Sequence, residues 1–96
     1  MDAVVDSGCA LALTLPTATV TALGLALQSS SAAVLADGSV TQFDVYSAEV
    51  EWDGVWRPVL VSAMGDEPLL GMQLMAGHRL RVDVMPGGVV EIAPLP

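Results

Sequence analysis

Ala3-Val4-Val5-Asp6-Ser7-Gly8-Cys9-Ala10-Leu11-Ala12-Leu13-Thr14-Leu15 opens on an apolar run, breaks at Asp-Ser-Gly and resumes as an alternating stretch. The pattern predicts a strand, a tight polar turn and a second strand, which together hold the carboxylate of Asp6 at a fixed point. The triplet alone is also what an ordinary type I or Asx turn prefers. Its flanks separate the two readings. Apolar strands on both sides would bury the turn, and a buried carboxylate is costly unless it is hydrogen-bonded or put to use. In the last third of the chain Leu69-Leu70-Gly71 follows Glu67-Pro68 and leads into Met72-Gln73-Leu74-Met75. By itself this segment reads as core packing with a glycine at a tight join.

Turn dipeptides recur at short intervals between small and β-branched residues, the layout of an all-β domain. Asp37-Gly38 and Asp53-Gly54 each suit a two-residue type I′ hairpin, and Met85-Pro86-Gly87-Gly88 a looser turn. The longest predicted strand runs from Val40 to Trp52. Its apolar set changes phase, with Phe43 and Val45 facing one way and Tyr46, Ala48, Val50 and Trp52 the other, so a bulge near Tyr46 or burial on both faces is expected. One short helix is predicted from Pro16 to Gly24 and a second from Gly71 or Met72 to Ala76, stopped at Gly77. Arg79 to Val84 and Val89 to Ile92 read as the closing strands. Ala93-Pro94-Leu95-Pro96 reads as a tail that proline keeps out of any central sheet position. Trp52 and Trp56 flank the Asp53-Gly54 turn as a cross-strand clamp, and Met64, Met72, Met75 and Met85 read as core filler.

The 96 residues form one domain, residues 1–96. At 53% hydrophobic the chain has more apolar residues than so small a globule buries, so part of the surplus is expected to face a second copy. Eleven acidic residues stand against Arg57, Arg79 and Arg81, giving a formal charge of -8. Three scattered bases cannot form a phosphate-binding stripe, which argues against nucleic acid as a partner. No apolar run approaches membrane-spanning length, Met1-Asp2-Ala3 lacks the positive start of a secretory leader, and the lone Cys9 rules out an internal disulfide; a soluble, cytoplasmic protein is expected. One His and one Cys cannot build a zinc site, and no metal or organic cofactor is expected. Cys9 with His78 as nucleophile and base is the weakest of the chemistries considered, since a lone Cys in an apolar strand is more often a small core residue.

Asp6-Ser7-Gly8 near the start, Leu69-Leu70-Gly71 in the last third, and the helix and strand after it give a chain that resembles the retropepsin-like aspartic proteases of the small, bacterial, single-domain type. Leu13-Thr14-Leu15-Pro16, Ala22-Leu23-Gly24-Leu25 and the stretch from Gly71 to Leu80 extend the likeness over nearly the whole length. The resemblance implies a closed, retropepsin-like β-barrel with one or two short helices, equivalent to half of a pepsin-type bilobal enzyme. In such a fold the apolar-apolar-glycine segment threads behind the catalytic turn in a ψ-shaped crossing, so Leu69, Leu70 and Gly71 would support the site. It further implies a homodimeric endopeptidase in which a water is activated between two Asp6 carboxylates, one per subunit. Ser7 would lock the paired turns through its hydroxyl, and Gly8 would let the backbone pass close to the carboxylate. Leu35, Ala36, Asp37, Gly38 and Ser39 would form the flap over an extended peptide substrate. Family members carry a strand or hairpin ahead of the aspartate, whereas five residues precede Asp6 here. The domain is therefore expected to lack an N-terminal strand, either because the sequence starts late or because the dimer relies on Val89 to Ile92. The rival expectation is a non-catalytic β module that keeps the fold and binds a partner through an apolar face.

Overall fold

A computed structural model describes residues 2–96. Strands β1 (Val4–Val5), β2 (Leu13–Leu15), β3 (Ala26–Val34), β4 (Val40–Trp52), β5 (Val55–Ala63) and β6 (Leu69–Leu70) make a six-stranded sheet in the order β1-β6-β2-β5-β4-β3. Strands β7 (His78–Val82) and β8 (Val90–Pro94) pair antiparallel as a separate two-stranded ribbon. The chain is mostly β, with one helix, α1 (Thr17–Leu23), between β2 and β3.

The long β4 forms over the span its sequence predicts, and its change of phase has a structural counterpart. Phe43 and Val45 are buried on one face of the sheet. Tyr46, Ala48, Val50 and Trp52 pack on the other, with Val59, Val61 and Ala63 of β5 and Leu13 and Leu15 of β2. The register β4 keeps with β5 is unbroken, so β4 itself carries no bulge. The irregularity opposite Tyr46 lies in β3, where the pairing slips between Leu27 and Ser29 and leaves Gln28 as the extra residue. Val61 and Leu74 are fully buried, and Leu15 and Val20 nearly so. Each such side chain contributes about 1.5–3 kcal/mol relative to leaving it in water.

Helix α1 starts directly after Pro16, whose carbonyl accepts the amides of Thr19 and Val20 at 3.0 and 3.1 Å, and stops at Gly24 in the left-handed conformation, φ 65°. Only Val20 is buried, which suits a short, threonine-rich helix held by one packed residue. The second expected helix does not form. Gly71 is pinned through its amide to the Ala12 carbonyl at 2.9 Å, Gly77 turns the chain at φ 80°, and the residues between are too few to propagate a helix; they make consecutive turns instead.

The hairpins divide in the same way. Asp53 and Gly54 both take positive φ, 55° and 77°, and close a two-residue turn pairing Trp52 with Val55. The Asp37-Gly38 turn is longer than expected. Val34 pairs with Val40, only Gly38 takes positive φ, and Leu35 is bonded to both Gly38 and Ser39 through the backbone. Asp37 keeps negative φ because its carboxylate accepts the amide and the hydroxyl of Ser39 at 2.9 and 2.6 Å.

Four further expectations are corrected. The sheet does not close into a barrel among the described residues: β1 and β3 are its two ends, and β1 and β6 are each two residues long, too short to carry the pairing round. The last strand continues past Ile92 to Pro94, which sits opposite His78 on a ribbon edge where a missing amide does no harm. Trp52 and Trp56 do not clamp the hairpin, because a two-residue turn pairs Trp52 with Val55 and Glu51 with Trp56, so the two indoles lie on opposite faces. Of the methionines among the described residues only Met75 is in the core; Met72 and Met85 are 46% and 68% exposed.

Candidate functional site

Strand β6 lies between β1 and β2, which residues 6–12 join: Asp6-Ser7-Gly8 make the turn, and the alternating stretch after it, expected as strand from Cys9, becomes strand only at Leu13. Strand β6 runs parallel to β1, with Val4 opposite Leu69 and Val5 opposite Leu70, and antiparallel to β2, with Leu13 opposite Leu70. The Leu70 carbonyl accepts the Asp6 amide at 2.9 Å, and the Cys9 carbonyl accepts the Met72 amide at 2.8 Å. Two segments far apart in sequence thus meet at one turn. Gly71 is buried there against the loop after the aspartate: a Cβ on it would lie 1.8 Å from the Leu11 carbonyl oxygen and 3.0 Å from that of Cys9. Only a residue without a side chain allows this approach.

The flanking strands do not bury the turn: Asp6 is only half-buried and Ser7 and Gly8 are exposed, and in an exposed bond the Asp6 Oδ1 accepts the Gly8 amide at 2.9 Å while its backbone carbonyl accepts the Cys9 amide at 3.1 Å. A Cβ on Gly8 would sit 3.3 Å from that Oδ1, so the backbone passes close to the carboxylate. Ser7 is exposed and lines a cleft of about 390 Å³ between β1 and the ribbon, with Val5, Leu80, Val82 and Val90 among its walls. The hydroxyl is therefore free to meet a group outside the chain.

The segment from Leu35 to Ser39 caps the β3–β4 hairpin and is exposed throughout. It lines neither the cleft beside Ser7 nor a larger one of about 740 Å³ on the core face of the sheet. The structure joins Asp6, Ser7 and Gly8 with Leu69, Leu70 and Gly71, and the hairpin tip stands apart from that cluster. At the tip the Ser39 hydroxyl, and then its amide, hold the Asp37 carboxyl below the ordinary aspartate value of 3.8. Because the folded value is depressed, these bonds contribute fully above pH 3.8 and are lost as the pH falls through the lower folded value. Ser39→Ala removes the larger of the two causes, so the Asp37 titration followed by carboxyl NMR is expected to move up toward 3.8.

His78 does not serve Cys9. Its Nδ1–H donates to the Ala76 carbonyl at 3.0 Å, and its Nε2 accepts the Trp52 indole N–H at 3.3 Å, with the rings edge to face at 5.7 Å. Both nitrogens are occupied: Nε2 ties the ribbon to the end of β4, and Nδ1 holds the ring against the turn just before β7. This contact was not legible in the sequence, where Trp52 and His78 carry no shared pattern. Among the described residues no helix is long and apolar enough to cross a membrane. Comparison with family models, with curated proteins and with solved structures gives no match for this chain.

Proposed function

We propose that this chain is a retropepsin-like aspartic endopeptidase that works as a homodimer, with Asp6 of each subunit facing its symmetry mate across one water. The observation that supports the reading best is the insertion of β6 behind the Asp6 turn, with the Asp6 amide on the Leu70 carbonyl and Gly71 against Leu11. The resemblance implies a crossing behind the catalytic turn, and this insertion supports that reading. An ordinary surface turn has no need of a second, distant segment to fix its backbone.

One chain offers one such carboxylate, and a shared-proton pair needs two, so the second comes from a twofold-related copy. Two carboxylates a few ångströms apart do not both ionise; one acts as acid and the other as base at the same pH. The ionised Asp6 takes a proton from the water as its oxygen attacks the peptide carbonyl carbon, and the protonated Asp6 gives its proton to the carbonyl oxygen. The tetrahedral intermediate then collapses: the C–N bond breaks, the leaving nitrogen takes up a proton, and a new carboxyl group remains. Exposed apolar side chains on and next to the ribbon, among them Val82, Val84, Met85, Val89 and Val90, supply a surface for the second copy, and the cleft that Val82 and Val90 border reaches Ser7. The Leu35–Ser39 tip would close over the peptide in the assembled dimer.

The test is hydrolysis of a peptide mixture between about pH 4 and pH 7, followed by mass spectrometry at a series of protein concentrations. Cleavage whose rate per chain falls on dilution, and which survives Cys9→Ser, is the expected result. Absence of cleavage at every pH and concentration would leave the non-catalytic β module in its place.

A further inference from the structure

The larger cleft, about 740 Å³, lies on the core face of the sheet and does not include Asp6. Its floor is apolar, with Leu15, Leu25 and Leu74 below and Trp52 at one end. One wall is the strand segment from Ala48 to Trp52, every residue of which lines it. This segment is half-paired. β3 accompanies β4 only as far as Ser47, opposite Ala26, whereas β5 continues to Trp52, so beyond Ser47 the β3-side edge of β4 has no partner strand among the described residues. An unpaired run of backbone amides and carbonyls beside an apolar trough is a template for an added strand.

The sequence along that edge sets the chemistry of the strand it would accept. Ala48, Val50 and Trp52 pack on the core side of the trough, while the alternate residues Glu49 and Glu51 border it along the strand and are exposed. An added strand alternates in step with its neighbour, so its inward side chains meet the apolar floor while its outward ones stand across from Glu49 and Glu51. Asp2 lies on the far wall, and no basic residue lines the cleft; the nearby Arg57 directs its guanidinium to the Leu74 carbonyl at 3.3 Å. We infer that this edge binds, by strand addition, an extended segment of a partner protein in which apolar residues alternate with Lys or Arg. The site is separate from the Asp6 turn and does not depend on the proposed proteolysis.

The experiment uses a short acetylated peptide alternating Lys with Val, and its twin alternating Glu with Val, against the full chain carrying Asp6→Asn so that no peptide is consumed. The Lys peptide is expected to slow hydrogen exchange of edge amides between Ala48 and Trp52 and to bind about tenfold or more tightly than the Glu twin. The double variant Glu49→Lys, Glu51→Lys is expected to reverse that preference. Asp66→Lys with Glu67→Lys alters the net charge equally at acids outside the cleft and is expected to leave it intact. If both double variants behave alike, only the overall negative charge is being read and the inference fails. It fails equally if the peptide leaves the Ala48–Trp52 amides unprotected, or if they become protected with protein concentration alone, which would make a second copy the occupant.

Discussion

Asp6→Asn is expected to lower kcat/KM for peptide hydrolysis by roughly a thousandfold or more, because in a symmetric dimer one substitution removes the acid and the base together. Folding should hardly change. The amide oxygen of Asn can still accept the Gly8 amide that Asp6 Oδ1 accepts at 2.9 Å, and the Asp6 backbone bond to Leu70 does not involve the side chain. A melting temperature within about 4 °C of the parent is therefore expected. The sharper measurement is on mixtures. When parent and Asp6→Asn chains are unfolded together in equal amounts and refolded, half of the dimers contain one of each. If a mixed dimer is inactive, about one quarter of the activity returns; independent chains would return about one half. A result near one half would remove the shared site.

Gly71→Ala is expected to be the most damaging single methyl group in the chain. The added carbon would overlap the Leu11 carbonyl oxygen at 1.8 Å and its carbon at 2.7 Å, both backbone atoms that no side-chain rotation can move aside. Relief requires β6 to move away from the loop after Asp6, which breaks the Gly71 to Ala12 and Met72 to Cys9 bonds and uncovers Leu70 and Leu74. A loss of roughly 3–5 kcal/mol follows. In a urea titration or thermal melt this is a fall in Tm of about 12 °C or more. Gly88 makes a comparable approach to the Asp83 carbonyl, 1.9 Å, but in the loop of the two-stranded ribbon, where the chain can yield without opening the main sheet. Alanine there should cost clearly less, which makes the pair an internal check that the crossing, and not glycine as such, is what matters.

Local chemistry carried most of what the sequence disclosed. Asp53-Gly54 closes a two-residue hairpin because nothing competes for the Asp53 backbone; Asp37-Gly38 has the same two residues but does not, because Ser39 offers its hydroxyl and amide to the Asp37 carboxylate. Pro16 and Gly24 bracket a helix since each end is set by a single residue's backbone preference. What failed to show were outcomes of competition between distant parts. The stretch after Gly71 has helical spacing, yet Ala12 holds its first residue and Gly77 its end. Closure of the sheet depended on lengths of β1 and β6 that no residue pattern specifies. For the site, Asp6-Ser7-Gly8 and Leu69-Leu70-Gly71 were legible as separate motifs, and the structure brings them together. The open edge from Ala48 to Trp52 was not legible, because it exists only where β3 stops short of its neighbour.

The position of β6 also decides when the turn can be assembled. The carbonyl that holds the Asp6 backbone comes from Leu70, so a polypeptide still being synthesised carries the aspartate well before its support and lacks that support until translation has passed Gly71. An unfinished chain is itself an extended polypeptide. If the chain cleaves peptides as proposed, a brace placed so far downstream would keep the carboxylate unsupported while the nascent protein is most open to cleavage.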